Sequence, residues 1–270
     1  MIGNQPEKAR RQRVKDRDAK SIREVVRGAF SITEDTASYD EIRDRLMDGG
    51  RVTGTNLCMM ACANAIACIG LNAGSMVTCV GAMLLEPLMG SVLLISYGMV
   101  AADKSVIKGS TLGILFQIAS CLIVSTLYFI ITPVRGATEE MLSFAQPTMF
   151  EVLVAFIGGI AGIIGQTRKE KVNTIVPGVA IATALMLPLC TCGYAIANLD
   201  KKMIVGSLYM FVVNFYFIIL GSFLVLSLIN IPKVRKMTAE ERRRGKLILI
   251  FNMIIILIPA VFFSIYRLLH

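Results

Sequence analysis

From about Thr55 onward the chain alternates long apolar runs with short charged ones, and before that point it is polar throughout. The runs are close to the roughly 20 residues that a helix rising ~1.5 Å per residue needs to cross the hydrocarbon of a bilayer. A soluble core of comparable size would show half-polar helices or strands alternating with period two. The pattern predicts seven spanning helices, at 54–70, 74–101, 109–132, 149–166, 174–198, 203–230 and 246–267.

Two stretches inside this pattern repeat. Asp103-Lys-Ser-Val-Ile-Lys-Gly-Ser110 returns as Asp200-Lys-Lys-Met-Ile-Val-Gly-Ser207, and each follows an apolar run interrupted by a proline, Pro87 or Pro188. Weaker matches extend the unit. Ala63, Ala67 and Gly70 align with Gly158, Gly162 and Gly165; Leu84-Leu-Glu-Pro-Leu88 aligns with Leu185-Met-Leu-Pro-Leu189; Gln117 aligns with Asn214. The offsets differ between spans, which places short insertions in the connecting loops. Each unit holds three crossings, an odd number, so the second lies upside down relative to the first. The expected fold is therefore all-α: a polytopic membrane protein with an inverted 3+3 transmembrane repeat, broken helices and one extra C-terminal helix. Its parts are a cytoplasmic basic amphipathic tail at 1–53, a first repeat at 54–132, a second at 149–230 and an appended helix at 246–267.

Composition sharpens this. The chain is 55% hydrophobic yet carries 28 Lys and Arg and a net charge of +9, so its apolar and basic residues are segregated. With the N-terminus in the cytoplasm, 24 of the 28 basic residues fall on the cytoplasmic side, leaving Arg135, Lys201, Lys202 and Arg267 opposite. The positive-inside rule thus predicts N-terminus in, C-terminus out, in the cytoplasmic membrane. The first fifty residues contain no apolar region suited to a signal peptide, so no cleavage is expected. Residues 7–27 read as a basic helix near anionic head groups, its partner being membrane lipid. Interleaved acids and a single aromatic in the first thirty residues argue against nucleic acid. Ser38-Tyr-Asp-Glu41 is a capping box opening a second short helix, which Gly49-Gly50 ends.

Candidate chemistry concentrates at the prolines. Proline removes a backbone donor and crowds the preceding turn, so the helices should kink or split at Pro87 and Pro188. Groups freed at membrane depth persist only inside protein or along a cavity. Glu86 is the only carboxylate clearly inside the predicted hydrocarbon, where its charge costs roughly 2.5–3.5 kcal/mol. With no Lys or Arg between Arg51 and Lys104 to pair it, Glu86 is expected to be protonated unless a cation occupies the site. Ser91, Thr183 and Thr191 flank the breaks as possible hydroxyl ligands, although such groups commonly bond their own helix. Gln117 and Asn214 are amides that either cross-link helices or contact a solute. The expected site for a small solute or ion is thus Glu86, Pro87, Ser91, Gln117, Thr183, Pro188, Thr191 and Asn214.

The seven cysteines lie in apolar segments and read as small core residues, and Cys190-Thr-Cys192 has no second pair beside it. No metal and no cofactor are expected. No catalytic motif is present, and the one histidine is the terminal His270, so an enzyme is not expected. Gly158-Gly-Ile-Ala-Gly162-Ile-Ile-Gly165 is a small-residue ridge for close helix packing, within the chain or in a homo-oligomer.

Val80-Gly-Ala-Met-Leu-Leu-Glu-Pro-Leu-Met-Gly90, with Val176-Pro-Gly-Val-Ala-Ile-Ala-Thr-Ala-Leu-Met-Leu-Pro188, resembles the membrane domain of the domain-of-unknown-function 389 family, the uncharacterised hydrophobic domain of bacteria and archaea. The resemblance spans roughly 55–230 and implies a multi-span membrane protein without an assigned substrate. It departs at Glu86, where the family pattern implies a small polar residue such as Ser. The residues point to a transporter or channel for a small solute or ion; the alternative is a non-transporting scaffold or sensor with a lipid- or partner-binding tail.

Overall fold

The computed structural model describes residues 36–85, 88–133, 136–146, 148–169 and 175–234, with isolated positions between 238 and 258. The basic stretch 7–27 and most of the predicted seventh span lie outside the described residues. Nine helices are described up to residue 228: α1 (Tyr39–Gly50), α2 (Gly54–Asn72), α3 (Met76–Met83), α4 (Leu88–Ala101), α5 (Lys104–Ile131), α6 (Glu139–Phe144), α7 (Met149–Thr167), α8 (Ile175–Ala197) and α9 (Lys201–Leu228). Four of them, α2, α5, α7 and α9, are long and apolar enough to cross a membrane. The pair α3 and α4, bent by 54°, has the composition of a fifth span if counted as one.

Helix starts follow local polar chemistry. Ser38, Thr53, Ser75, Asp103, Thr138 and Asp200 each accept a hydrogen bond from an amide two or three residues on, satisfying donors that a first turn leaves unpaired. Only half of the box expected at α1 forms, because the Glu41 carboxylate turns to Arg45 one turn later. A complete capping box sits instead at α7, where Glu151 accepts from both the amide and the hydroxyl of Thr148. Helix α6, unforeseen in the sequence, buries Met141 and Phe144 and is tied to the end of α2 by Thr138 Oγ1 donating to Leu71 O at 3.0 Å.

The α4–α5 and α8–α9 corners are built alike. Ala102 and Leu199 both adopt φ 56°, and the following aspartates donate to Gly98 O and Ala195 O at 2.9 Å each, closing the preceding helix as they cap the next. Both following helices are 28 residues long. Every buried position of α5 (Ser110, Gly113, Ile114, Gln117, Cys121, Ser125, Phe129) has a buried counterpart at the same step along α9 (Ser207, Met210, Phe211, Asn214, Ile218, Ser222, Leu226). Packing is reciprocal as well: α5 lies on α8, and α9 lies on α4. Because the two corners match residue for residue, the four extra residues between Pro87 and its corner, relative to Pro188, lie within α4 and not in a loop.

The glycine ridge of α7 is filled from within the chain. A Cβ on Gly159 would collide with the carbonyl of Ile218, one on Gly221 with that of Phe156, and Ser222 Oγ donates to Gly159 O at 2.9 Å. These backbones therefore meet without intervening side chains. Cys58 and Cys62, expected in the core, lie on the exposed face of α2, whereas the other five cysteines are buried.

Candidate functional site

The polar groups within the apolar bundle resolve into three places. The first is Pro188, which lies inside a continuous α8 where a break was expected. A proline at this position cannot donate to the carbonyl four residues back, Ala184 O. Asn214 Nδ2 supplies that bond from α9 at 2.8 Å. The freed acceptor is thereby satisfied by a buried amide, and the helix continues past the proline with its ladder repaired from outside. Thr191, one turn further on, is fully buried, and its Oγ1 has no hydrogen-bond partner among the described residues.

The second place joins α2, α5 and α8. Asn64 Nδ2 donates to Cys121 O at 2.6 Å, and Cys190 Sγ donates to Asn64 Oδ1 at 2.7 Å. Ser125 Oγ also donates to Cys121 O, at 2.7 Å. Here polar atoms bond one another, which is the behaviour of a helix cross-link. Ser96 is similar, its hydroxyl reaching Val92 O of its own helix at 3.3 Å and Ile219 O of α9 at 3.4 Å.

The third place is the start of α4. Glu86 and Pro87 lie outside the described residues, as does the side chain of Thr183, but their surroundings on α4 are described. Ser91 Oγ donates to Gly50 O, the last carbonyl of α1, at 3.3 Å. Gly49 presses its carbonyl against the spot where a Cβ of Gly90 would stand, so the two backbones are in contact. On α5, Gln117 is 1% exposed and its Oε1 has no hydrogen-bond partner among the described residues.

The level of Gln117 follows from the hairpin. At its corner a Cβ on Gly98 would stand 2.9 Å from Ile107 Cγ1. Ten residues along α5 from Ile107, ~15 Å, is Gln117, and the same distance back along α4 reaches Leu88, its first residue. The count can be checked on the matching hairpin, where it pairs Asn214 with Leu185, one residue from the carbonyl that Asn214 reaches. Gln117 is therefore level with the gap between α3 and α4. Its equivalent, Asn214, is satisfied while Gln117 Oε1 is not. Ser110 Oγ, on the same face of α5, is likewise buried without a partner, whereas its equivalent Ser207 donates to Met203 O at 2.7 Å.

Residues 83–220 match the family described as domain of unknown function 389 (DUF389). The chain belongs to the DUF389 family. The match opens at Met83, the last residue of α3, and takes in both prolines, Gln117 and Asn214; it is narrower than the 55–230 suggested by the motifs and leaves α1 and α2 outside. A further relative of this DUF389 protein is an uncharacterised protein of Methanocaldococcus jannaschii, 22% identical over 228 residues, covering 84% of this chain and 71% of the relative. No solved structure matches.

The eight residues anticipated for the site thus divide. Pro188 and Asn214 meet at a turn repaired from α9 with Thr191 one turn on, Ser91 lies near the start of α4 against α1, Gln117 lies on α5, and Glu86, Pro87 and the side chain of Thr183 lie outside the described residues. The contact of α1 with α4 was not anticipated. Its signal was the Gly49-Gly50 pair, which reads equally as a helix stop and as a surface for close backbone approach.

Proposed function

We propose that this DUF389 protein is a membrane transporter or channel for a small solute or ion, with its site at the gap between α3 and α4. The observation that carries the reading is the unpartnered Gln117 Oε1, level with that gap and 1% exposed. A buried acceptor without a bond costs ~1–3 kcal/mol, and a passing ligand or water that bonds it recovers that cost. The bend of 54° between α3 and α4 supports the reading, since irregular backbone at membrane depth belongs beside a cavity or in packed protein.

The matching corners and the shared buried register of α5 and α9 support an inverted pair of three-span units. We assign the cytoplasmic side to the tail and to 102–108, from the distribution of basic residues. In this arrangement the Ala184 carbonyl freed by Pro188 is bonded by Asn214, whereas Gln117 Oε1, at the equivalent position, has no partner among the described residues. Neither an enzymatic activity nor a cofactor is part of the proposal, and a homo-oligomer remains part of it through the apolar outer faces of α2 and α5.

A second reading, a non-transporting scaffold or sensor, draws support from the repair at Pro188, because a scaffold keeps every freed carbonyl bonded. Purified protein in liposomes separates the two by stopped-flow light scattering against a panel of small neutral and charged solutes. Flux that falls in Gln117→Leu and Glu86→Gln, but persists in Ser96→Ala, is expected of the transporter. Absence of flux for every solute, with the protein folded, contradicts it.

A further inference from the structure

The ends of α4, α7 and α9 gather at one rim of the bundle. Val234 N, just beyond α9, donates to the carbonyl of Ala101, the last residue of α4, at 2.8 Å; Ala37 N, just ahead of α1, donates to that of Thr167, the last residue of α7, also at 2.8 Å. Helix α1 crosses this rim, lying mainly against α4 and meeting α7 only at its end. Its two attachments differ in kind. On α4 the Gly49 carbonyl presses against Gly90, a Cβ on Gly50 would stand 2.6 Å from Leu94 Cδ2, and Ile42 and Leu46 are buried. Close apolar packing of this kind has no substitute in water. On α7 the attachment is polar. The last carbonyls of a helix lack donors within it, and Arg45 bonds those of Gln166, at 3.5 Å, Arg168 and Lys169, at 3.2 Å, while Thr36 pairs with Arg168 in an antiparallel bridge. Glu41, half-exposed, bonds the same guanidinium from α1.

Hydrogen bonds at a partly exposed rim exchange for bonds to water with a small net loss, so the attachment to α7 parts before the attachment to α4. We propose that α1 is a strap: seated on α4, it holds the end of α7 through Arg45 and the bridge between Thr36 and Arg168, and it leaves α7 first when the rim opens. Its effect on flux rests on the transport reading above, in which α4 and α7 belong to different three-span units that move against each other as a solute passes. A docked strap restrains that motion and a released one permits it. The contact is thus autoinhibitory, on the side assigned above to the cytoplasm. It gives a regulatory part to α1, which lies outside the family match. Arginine suits the holding position because its planar fork reaches several carbonyls at once, which a lysine ammonium does not.

Thr36 and Arg168 stand directly opposite each other, a pairing that sets Cα atoms ~4.5–5.5 Å apart, within the span of a disulfide. The test uses the full chain in liposomes, with the exposed Cys58 and Cys62 replaced by serine, the five buried cysteines kept, and Thr36→Cys with Arg168→Cys added. Oxidation with copper phenanthroline then locks the strap, and flux of glycerol, urea and potassium chloride is read by light scattering. Flux about fivefold slower in the oxidised than in the reduced form, restored by a membrane-permeant reductant, is expected. Arg45→Ala should speed flux in the reduced form alone, and should slow formation of the disulfide by a similar factor because the pair spends less time together. Equal flux in the locked and reduced forms overturns the strap and leaves transport standing. A disulfide that forms as fast in Arg45→Ala as in its parent overturns the strap whether or not any solute passes. Absence of flux in every form, with disulfide formation slowed by Arg45→Ala, overturns the transport reading and supports the strap's attachment.

Discussion

Asn214 donates from α9 to the carbonyl of Ala184, the acceptor that Pro188 leaves without its helical partner. The two residues are complementary: the proline creates a vacancy in the ladder of α8, and the amide from the next helix fills it. This explains why α8 runs unbroken where proline chemistry alone predicts a break.

The pair should therefore be energetically coupled. Asn214→Leu is expected to lower stability by about 1 kcal/mol, because the Ala184 carbonyl is left buried and unbonded. In a Pro188→Ala background, where residue 188 regains its own amide donor, the same substitution should cost less. Reversible unfolding in detergent and lipid mixtures, measured for the four proteins of the cycle, checks this; equal costs in both backgrounds would dissolve the coupling.

Close approach of α7 and α9 depends on Gly159 and Gly221. Gly159→Leu should destabilise the protein by ~1–3 kcal/mol or more, since backbone atoms and not flexible side-chain ends occupy the space. Gly81→Ala, at a glycine with open space around it, should be near neutral. Thermal midpoints of the two variants, compared by loss of monodisperse elution after heating, give the answer.

Arg45 of α1 donates to the backbone carbonyls of Arg168 and Lys169 at the end of α7, the latter at 3.2 Å, and Ala37 N donates to Thr167 O at 2.8 Å. Arg45→Ala should speed hydrogen exchange across 39–50 while leaving α7 and α9 protected. Uniform acceleration over the bundle would mean that α1 supports the whole fold and not its own docking alone.

Cys190 bonds Asn64 through a thiol, and a hydroxyl can make the same bond. Cys190→Ser should retain folding, and Asn64→Leu should lose more stability than Cys190→Ser because it removes bonds to two helices. Unfolding midpoints of the two variants rank them; the reverse order would remove Asn64 as the centre of this contact.

Periodicity and caps made much of the bundle legible. The apolar runs located α2, α5, α7 and α9 to within a few residues, and the repeated Asp-Lys segments marked the two matching corners, because an aspartate cap is a local device. The fate of Pro188 was hidden, since its repair comes from a residue far away in sequence and on another helix. The partner of the glycine ridge was hidden for the same reason: small residues announce close approach without naming what approaches. The docking of α1 on Gly90 left only a short apolar signature, Ile42 and Leu46 one turn apart, beside glycines that served equally well as a helix end. Prolines at similar depth suggested symmetric breaks, yet the four additional residues in α4 show that equal corners do not make equal proline positions.

The central claim is an asymmetry between two equivalent amides, Gln117, whose oxygen has no partner among the described residues, and Asn214, bonded to Ala184 O. It is tested most directly by placing single cysteines at 117 and at 214 in a background without the seven native cysteines, and measuring their reaction with a charged, membrane-impermeant thiol reagent in lipid. The account predicts reaction at 117 and protection at 214. Equal protection of both positions, or reaction at 214 alone, would contradict it.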